Sequence, residues 1–309
     1  MHGIRKTDVV VGIDGTETST AAAVWAAGEA HRRSTRLVLL YAYVLYAYGS
    51  KDSALPGSVP YEEAEIDADR LLAAAADAVH QAYPAVTVST VADHEPAATA
   101  LLEITGMAAL TVIASQARHH ALESLMGSVA TYAAEQSKGP VVVLRGDASS
   151  VPGTGPVVLG VDGSAESGSA IDFAFQAART RQVPLLAVHS WDDSPVHGFR
   201  RTFHLHVDDH ADSDQLAELT SALAGHTERF PDVTVTPTVR RGHPARVLQQ
   251  VAAEQGASLL VVGATGVGTS AASGSEPDTS DAAAGLGGTS RGLLAHADVP
   301  VAVVRHGVG

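Results

Sequence analysis

Asp14-Gly15-Thr16 and Asp162-Gly163-Ser164 place a carboxylate, a glycine and a hydroxyl directly after two apolar runs, Val9–Ile13 and Val157–Val161. A carboxylate at such a point can accept hydrogen bonds from a base or a ribose. It can equally organise the turn from a strand into a helix, with the glycine letting the backbone turn sharply. Recurrence at the same place in both halves of the chain favours a site. Farther on, Gly263-Ala264-Thr265-Gly266 follows another apolar run, and Gly287-Gly288-Thr289-Ser290 precedes a helical stretch predicted at Arg291–Ala297. Glycines let a phosphate approach the backbone, a helix N-terminus offers unpaired N–H groups, and hydroxyls add donors. In the first half the counterparts are Ala114-Ser115-Gln116-Ala117 and, nine residues later, Gly127-Ser128. Alanine methyls crowd a close phosphate and resist positive φ. No Gly-Lys dipeptide occurs, so the phosphate loop ending in Gly-Lys-Ser/Thr is absent.

Other clusters invite chemistry less strongly. His204-Leu205-His206 with Asp208, Asp209 and His210 has zinc-type ligands, but reads as a polar loop running into an acidic helix start. His119-His120 beside Arg118 falls in the first half's glycine-poor loop and either offsets the missing glycines or is simply solvated. Tyr41, Tyr43, Tyr46 and Tyr48 offer a ring to stack on an adenine, while period-two packing explains the first pair equally well. No Ser-His-Asp order, HExxH or paired-carboxylate pattern stands out.

The elements that must position these residues repeat. Val9–Thr16 reappears as Val157–Ser164 with an offset of 148, and Pro140–Arg145 as Pro300–Arg305 with an offset of 160. Predicted strands in the first half are Val9–Ile13, Leu37–Val44, Val86–Ala92, Leu110–Ala114 and Val141–Arg145. Predicted helices are Thr18–Arg33, capped by Thr18 or Ser19, then Tyr61–Tyr83, Ala97–Met107 and Ser128–Gln136. The second half's strands are Val157–Val161, Pro184–Ser190, Val233–Val239, Leu259–Gly263 and Val301–Arg305. Alternating strands and helices imply a Rossmann-like α/β fold: two tandem doubly wound, mainly five-stranded parallel sheets. Ligands bind such sheets beyond the carboxyl ends of the strands, where the aspartates and glycine clusters fall. The domains are expected at residues 1–147 and 156–309, divided by a stretch rich in Asp, Ser, Pro and Gly.

Several of these runs resemble the universal stress protein family. They are Val-Gly-Ile-Asp-Gly-Thr at 11–16 with Leu-Gly-Val-Asp-Gly-Ser at 159–164, Arg241-Gly242-His243-Pro244-Ala245, Val261–Gly266 and Ser290–Val301. The resemblance covers nearly the whole chain. It implies an adenine nucleotide alpha hydrolase-like domain, often paired through its last strand, with ATP, possibly with Mg²⁺, as the cofactor. ATP-binding members carry Gly-x-x-Gly, nine residues, then Gly-Ser or Gly-Thr. By that pattern Gly263, Gly266, Gly287, Gly288, Thr289 and Ser290, or Gly127 and Ser128, hold phosphates. Asp162, Gly163, Ser164 and Gly242, with Asp14, Gly15 and Thr16 in the first half, lie around adenosine. The second half separates Gly266 from Gly287 by twenty residues, an insertion of eleven, and a loop near 269–284 is expected to be flexible. Its intact glycines make the second half the expected better site. In the first half, Asp93 and Glu95 would repel a polyphosphate if they face it.

Bulk composition agrees with a binding module. Net charge is −14, which disfavours nucleic acid and anionic membrane as partners. With only three lysines, any phosphate must be held mostly by backbone N–H groups, hydroxyls and a few arginines. The chain has no cysteine, as suits a reducing compartment. The longest apolar run, Leu37–Tyr48, is too short to span a bilayer and no signal segment precedes the first strand, so a cytoplasmic protein is expected. The reading is a non-catalytic nucleotide-binding stress protein. The alternatives are an ATPase or nucleotidyl transferase on the same fold, which needs a base and usually Mg²⁺, and a nucleotide-free interaction scaffold. A protein partner, a homodimer, or the two halves pairing last strands as an internal pseudo-dimer are the expected assemblies.

Overall fold

A computed structural model describes residues 3–44, 61–115, 128–146, 154–164, 167–191, 211–265 and 285–306. The chain divides into two compact units, Met1–Pro152 and Gly153–Gly309. The first runs β1 (Val9–Ile13), α1 (Glu17–Arg32), β2 (Leu37–Ala42), α2 (Tyr61–Ala82), β3 (Val88–Asp93), α3 (Ala97–Thr105), β4 (Leu110–Ser115), α4 (Ser128–Gln136), β5 (Val141–Arg145). The second runs β6 (Val157–Val161), α5 (Gly168–Arg181), β7 (Leu185–Trp191), α6 (Ala211–Arg229), β8 (Val235–Arg241), α7 (Pro244–Glu254), β9 (Leu259–Gly263), α8 (Gly288–His296), β10 (Val301–Val304).

Strand order is β3-β2-β1-β4-β5 in the first unit and β8-β7-β6-β9-β10 in the second, all pairs parallel. Each order reverses direction beside its first strand, the topological switch point of a doubly wound sheet. The central strands are buried on both faces, which is why they read as unbroken apolar runs: Val9, Val10 and Val11 are fully buried, as are Val157, Val158 and Leu159. Helices approach closely because the contact residues are small. Ala22, Ala23, Ala26, Ala27 and Ala30 of α1 have no exposed surface.

Boundaries moved by a residue or two for identifiable reasons. Tyr43 leaves β2 to pack on Ala64 and Ala68 of α2. Val86 and Val233 are spent in turns that close the preceding helices, donating to Tyr83 and Phe230, so β3 and β8 begin later than expected. The expected cap of α1 was Thr18 or Ser19. The cap is Thr16, whose side chain accepts from the Ser19 N–H. Likewise α8 starts at Gly288, not Arg291, with Gly287 as its cap. Thr289 and Ser290 thus lie inside its first turn.

At the amino edge of the first sheet, buried Asp8 pairs with Arg36, and buried Glu29 with Arg32 and Arg33. Burial pulls the Arg33 pKa down, and Glu29 opposes that pull. Among the described residues, no helix is long and apolar enough to cross a membrane.

Candidate functional site

In the first unit, β1 ends on the turn that carries Asp14. Its Oδ1 accepts from the Thr16 N–H at 3.0 Å and from the Thr16 hydroxyl at 2.6 Å. The Asp14 N–H donates to Ser19 Oγ at 3.3 Å. Gly15 makes the turn possible with φ of +81°, a region that penalises a Cβ. The second unit repeats the device. Asp162 Oδ1 accepts from the Ser164 N–H at 3.0 Å, the Ser164 hydroxyl at 2.8 Å and the Ser167 hydroxyl at 2.6 Å, and Gly163 has φ of +77°. Each aspartate therefore organises its strand-to-helix turn through one oxygen.

The hydroxyls of Thr16, Ser164 and Ser290, all expected among the ligand-binding residues, make hydrogen bonds within the protein. A hydroxyl has one proton. Thr16 gives it to Asp14, Ser164 to Asp162, and buried Ser290 to the Gly263 carbonyl at 2.6 Å. The last bond ties α8 to the end of β9. Gly287 is similarly committed: it is buried, and its N–H donates to the Ala264 carbonyl at 2.8 Å. The N–H groups of Gly288, Thr289 and Ser290 open α8, and among the described residues none finds an acceptor. With the half-exposed Thr289 hydroxyl they form a donor set beyond β9 suited to an anion. Gly242, with φ of +131°, accepts from Ser190 Oγ at 2.6 Å.

A cavity of about 130 Å³ opens at the carboxyl ends of the first unit's strands. Gly12, Ile13 and Asp14 of the β1 end, Leu40 and Ala42 of β2, and Ile113 and Ala114 of β4 line it. Ala97 and Leu101 of α3, Ser19 of α1 and Val129 of α4 complete it. Except for Asp14 and Ser19, these side chains are apolar or absent. An engineered apolar cavity of about 150 Å³ admits a benzene ring, so this one has room for a flat ring and not for a whole nucleotide. Gly12 opens the floor, where a Cβ would meet Leu101 Cδ2 at 3.6 Å.

The neighbouring strand ends differ between the units. In register terms Tyr41 of β2 corresponds to His189 of β7, Ala42 to Ser190, and Asp93 of β3 to Arg240 of β8. Tyr41 stacks on Tyr43 at 5.8 Å between ring centres, and the Tyr43 hydroxyl lies 2.9 Å from His94 Nε2. Burial pushes the Tyr41 phenol up, and the nearby Asp67 and Asp14 carboxylates add to it. Burial, then Glu65 and Asp69, do the same to Tyr43. Asp93 Oδ1 accepts from the Glu95 N–H at 3.0 Å. In the second unit the Arg241 guanidinium lies 4.5 Å over the Trp191 ring, and the Trp191 indole N–H donates to Asp212 at 2.9 Å. His189 Nδ1 lies 2.8 Å from the Val161 carbonyl. A carbonyl only accepts, so Nδ1 is the donor in this bond.

Gly266 and Gly127, with the loop near 269–284, lie outside the described residues, as do His119, His120, Tyr46, Tyr48 and the His204–His210 cluster. Ser128 opens α4. Among the described residues no group of three or more His, Asp or Glu is placed to hold a metal ion. Sequence reasoning passed over the apolar walls, Leu40, Ala42, Ala97, Leu101 and Ile113, and the polar residues His189, Trp191 and Arg240. Nearness to the end of a predicted strand or the start of a helix was the available signal for them.

Two parallel sheets of order 3-2-1-4-5, each with an Asp-Gly-hydroxyl turn beyond its first strand, define a Rossmann-like α/β protein in duplicate. The family model described as the universal stress protein family matches residues 7–145 and again 154–305. The chain belongs to that family and carries two of its domains. A universal stress protein of Mycobacterium tuberculosis is 34% identical over 272 residues, covering 84% of this chain and 88% of its own. One from Mycolicibacterium smegmatis is 30% identical over 265 residues, covering 84% and 87%. A solved universal stress protein from Archaeoglobus fulgidus shares the fold, with a TM-score of 0.66, 16% identity and 98% of each chain covered.

Proposed function

We propose that this chain is a non-catalytic, cytoplasmic stress-response protein that binds adenine nucleotide at the carboxyl edges of its sheets. The supporting observation is the apolar cavity of about 130 Å³ beyond β1, β2 and β4, with the Asp14 carboxylate on its wall. Such a slot takes a planar base, and Asp14 is near enough to receive hydrogen bonds from the base or ribose. Asp14 Oδ1 is occupied by Thr16 and, among the described residues, Oδ2 has no donor, so an acceptor remains for the ligand. In the second unit the α8 amides and Thr289 supply donors for phosphate, with Gly263 presenting no side chain at the end of β9. The carboxylates at both turns are engaged as turn organisers through Oδ1.

Calorimetric titration with ATP, ADP and AMP, with and without Mg²⁺, tests this reading alongside a phosphate-release assay. Saturable binding without turnover is expected. Sustained phosphate release would instead support the enzyme alternative, and the lack of any binding would leave an interaction scaffold.

A further inference from the structure

The amino ends of the first unit's strands are charged in a way that the second unit's are not. We propose that this face, built on Arg5, Lys6, Arg32, Arg33 and Arg36, is a docking surface for an acidic segment of a partner protein. It lies at the opposite end of β1 from Asp14, so nothing in it depends on a bound nucleotide.

The cations of this face stand on buried carboxylates. Asp8 and Glu29 are each 1% exposed. Glu29 binds both Arg32 and Arg33, while Asp8 binds Arg36 and accepts from the Arg5 N–H at 2.8 Å. Arg36 also donates to the Gly3 carbonyl at 2.7 Å, and the Thr35 hydroxyl to the Thr7 carbonyl at 2.8 Å. The segment carrying Arg5 and Lys6 is thereby fastened beside the end of α1. Two carboxylates lie beneath five cations, of which Arg5 and Lys6 are exposed and the other three half-buried. Burial pulls the Arg33 pKa down, Glu29 opposes this, and the Arg32 charge adds to the pull, as befits two cations sharing one carboxylate. An incoming carboxylate relieves that repulsion. It also meets guanidinium groups already held in place, so binding orders few side chains.

The fold does not require this cluster. In the second unit, 148 residues on, Pro156 stands for Asp8, Ala177 for Glu29, Thr180 for Arg32 and Pro184 for Arg36. The main-chain bonds are the same. Ala109 N–H donates to the Asp8 carbonyl at 2.9 Å and Ser258 N–H to that of Pro156 at 3.0 Å; Val9 N–H donates to Arg36 at 3.1 Å and Val157 N–H to Pro184 at 3.0 Å. A buried ion pair seldom stabilises more than an apolar replacement does, so stability does not account for the cluster. Cations of the second unit are instead neutralised at the surface. Arg179 pairs with Asp232 at 3.0 Å and Arg229 with Asp172, carboxylates that are 53% and 40% exposed. The size of the patch selects a short partner segment. A nucleic acid or an anionic bilayer is wider than this patch and would also face the remainder of a chain of net charge −14. Screening over about 8 Å at physiological salt lets a short acidic segment respond to the local cations alone.

The test titrates the full chain into a fluorescein-labelled peptide of alternating Glu and Asp, read by fluorescence anisotropy at low and at physiological ionic strength. Saturable binding that weakens with salt is expected. The Arg5→Glu/Lys6→Glu variant, whose side chains are exposed, is expected to weaken it about tenfold. Arg32→Thr installs the second unit's residue, leaves Glu29 to Arg33 and should weaken binding several-fold. If that change unfolds the unit by circular dichroism, the exposed pair still decides. Arg240→Glu/Arg241→Glu alters the net charge by the same amount at the carboxyl end of β8 and should leave the affinity unchanged. Equal weakening by the two double variants would overturn the proposal, because overall charge would then suffice. So would a lack of binding, or a preference for single-stranded DNA or phosphatidylserine vesicles over the peptide that Arg5→Glu/Lys6→Glu removes.

Discussion

A single hydroxyl or glycine at the strand ends does two jobs, and the structure separates them. Thr16 caps α1 and holds Asp14 at once. Removing a Ser/Thr cap costs ~1 kcal/mol, so Thr16→Ala is expected to lower unfolding free energy by about that amount in a urea titration, with Thr16→Ser close to wild type. The matched glycines part company. Gly15 and Gly163 share a positive φ, but a Cβ at Gly15 would sit 2.9 Å from Leu71, whereas at Gly163 it meets nothing within 4 Å among the described residues. Gly163→Ala should cost only the left-handed penalty, about 1–2 kcal/mol. Gly15→Ala should cost more, because Leu71 must move as well; equal losses in denaturant melts would contradict this. Both aspartate turns were visible in the sequence as repeated motifs. That Thr16, Ser164 and Ser290 spend their protons inside the protein was not, because the sequence names the donor and never the acceptor.

At the scale of elements, two contacts fasten helices to the site edge. Ser290 of α8 donates to the Gly263 carbonyl in a buried setting. Ser290→Ala leaves that carbonyl without this donor and is expected to cost about 1–3 kcal/mol, read as an earlier denaturation midpoint with an unchanged slope. Between β2 and α2, Tyr43 packs on Ala64 and Ala68 and reaches His94. Its phenol, like that of Tyr41, is pushed up mainly by burial. The folded state therefore holds these protons more tightly than the unfolded chain does. The resulting stability is complete below the ordinary phenol pKa of about 10 and is lost as pH rises through the higher folded values. Melting temperature should fall above pH ~10, and the fall should be shallower in Tyr43→Phe than in wild type. Strand positions were legible because buried parallel strands are continuous Val/Leu runs. Helix starts were less so: Gly288, a weak helix former, opens α8 because Ser290 is anchored, and local propensity does not register an anchor.

For the whole molecule, duplication has preserved a scaffold while the strand ends diverged. Each unit has its own fully buried strands and alanine-lined helices. Residues 3–146 and 154–306, expressed separately, are expected to unfold in single cooperative transitions followed by circular dichroism. A gradual, non-cooperative loss in either would show that its core is not self-sufficient. By itself the sequence determined the α/β class, the repeat, the strand-end location of the Asp-Gly-hydroxyl turns and the family, because these depend on apolar periodicity and on motifs contiguous along the chain. Only the tertiary structure decided that an apolar cavity opens beside Asp14, that three hydroxyls expected among the binding residues bond within the protein, and that Arg240 stands where Asp93 does. Those facts depend on which residues of separate strands and helices come to share a space. In the chain, the walls of that cavity lie as far apart as Gly12 and Val129.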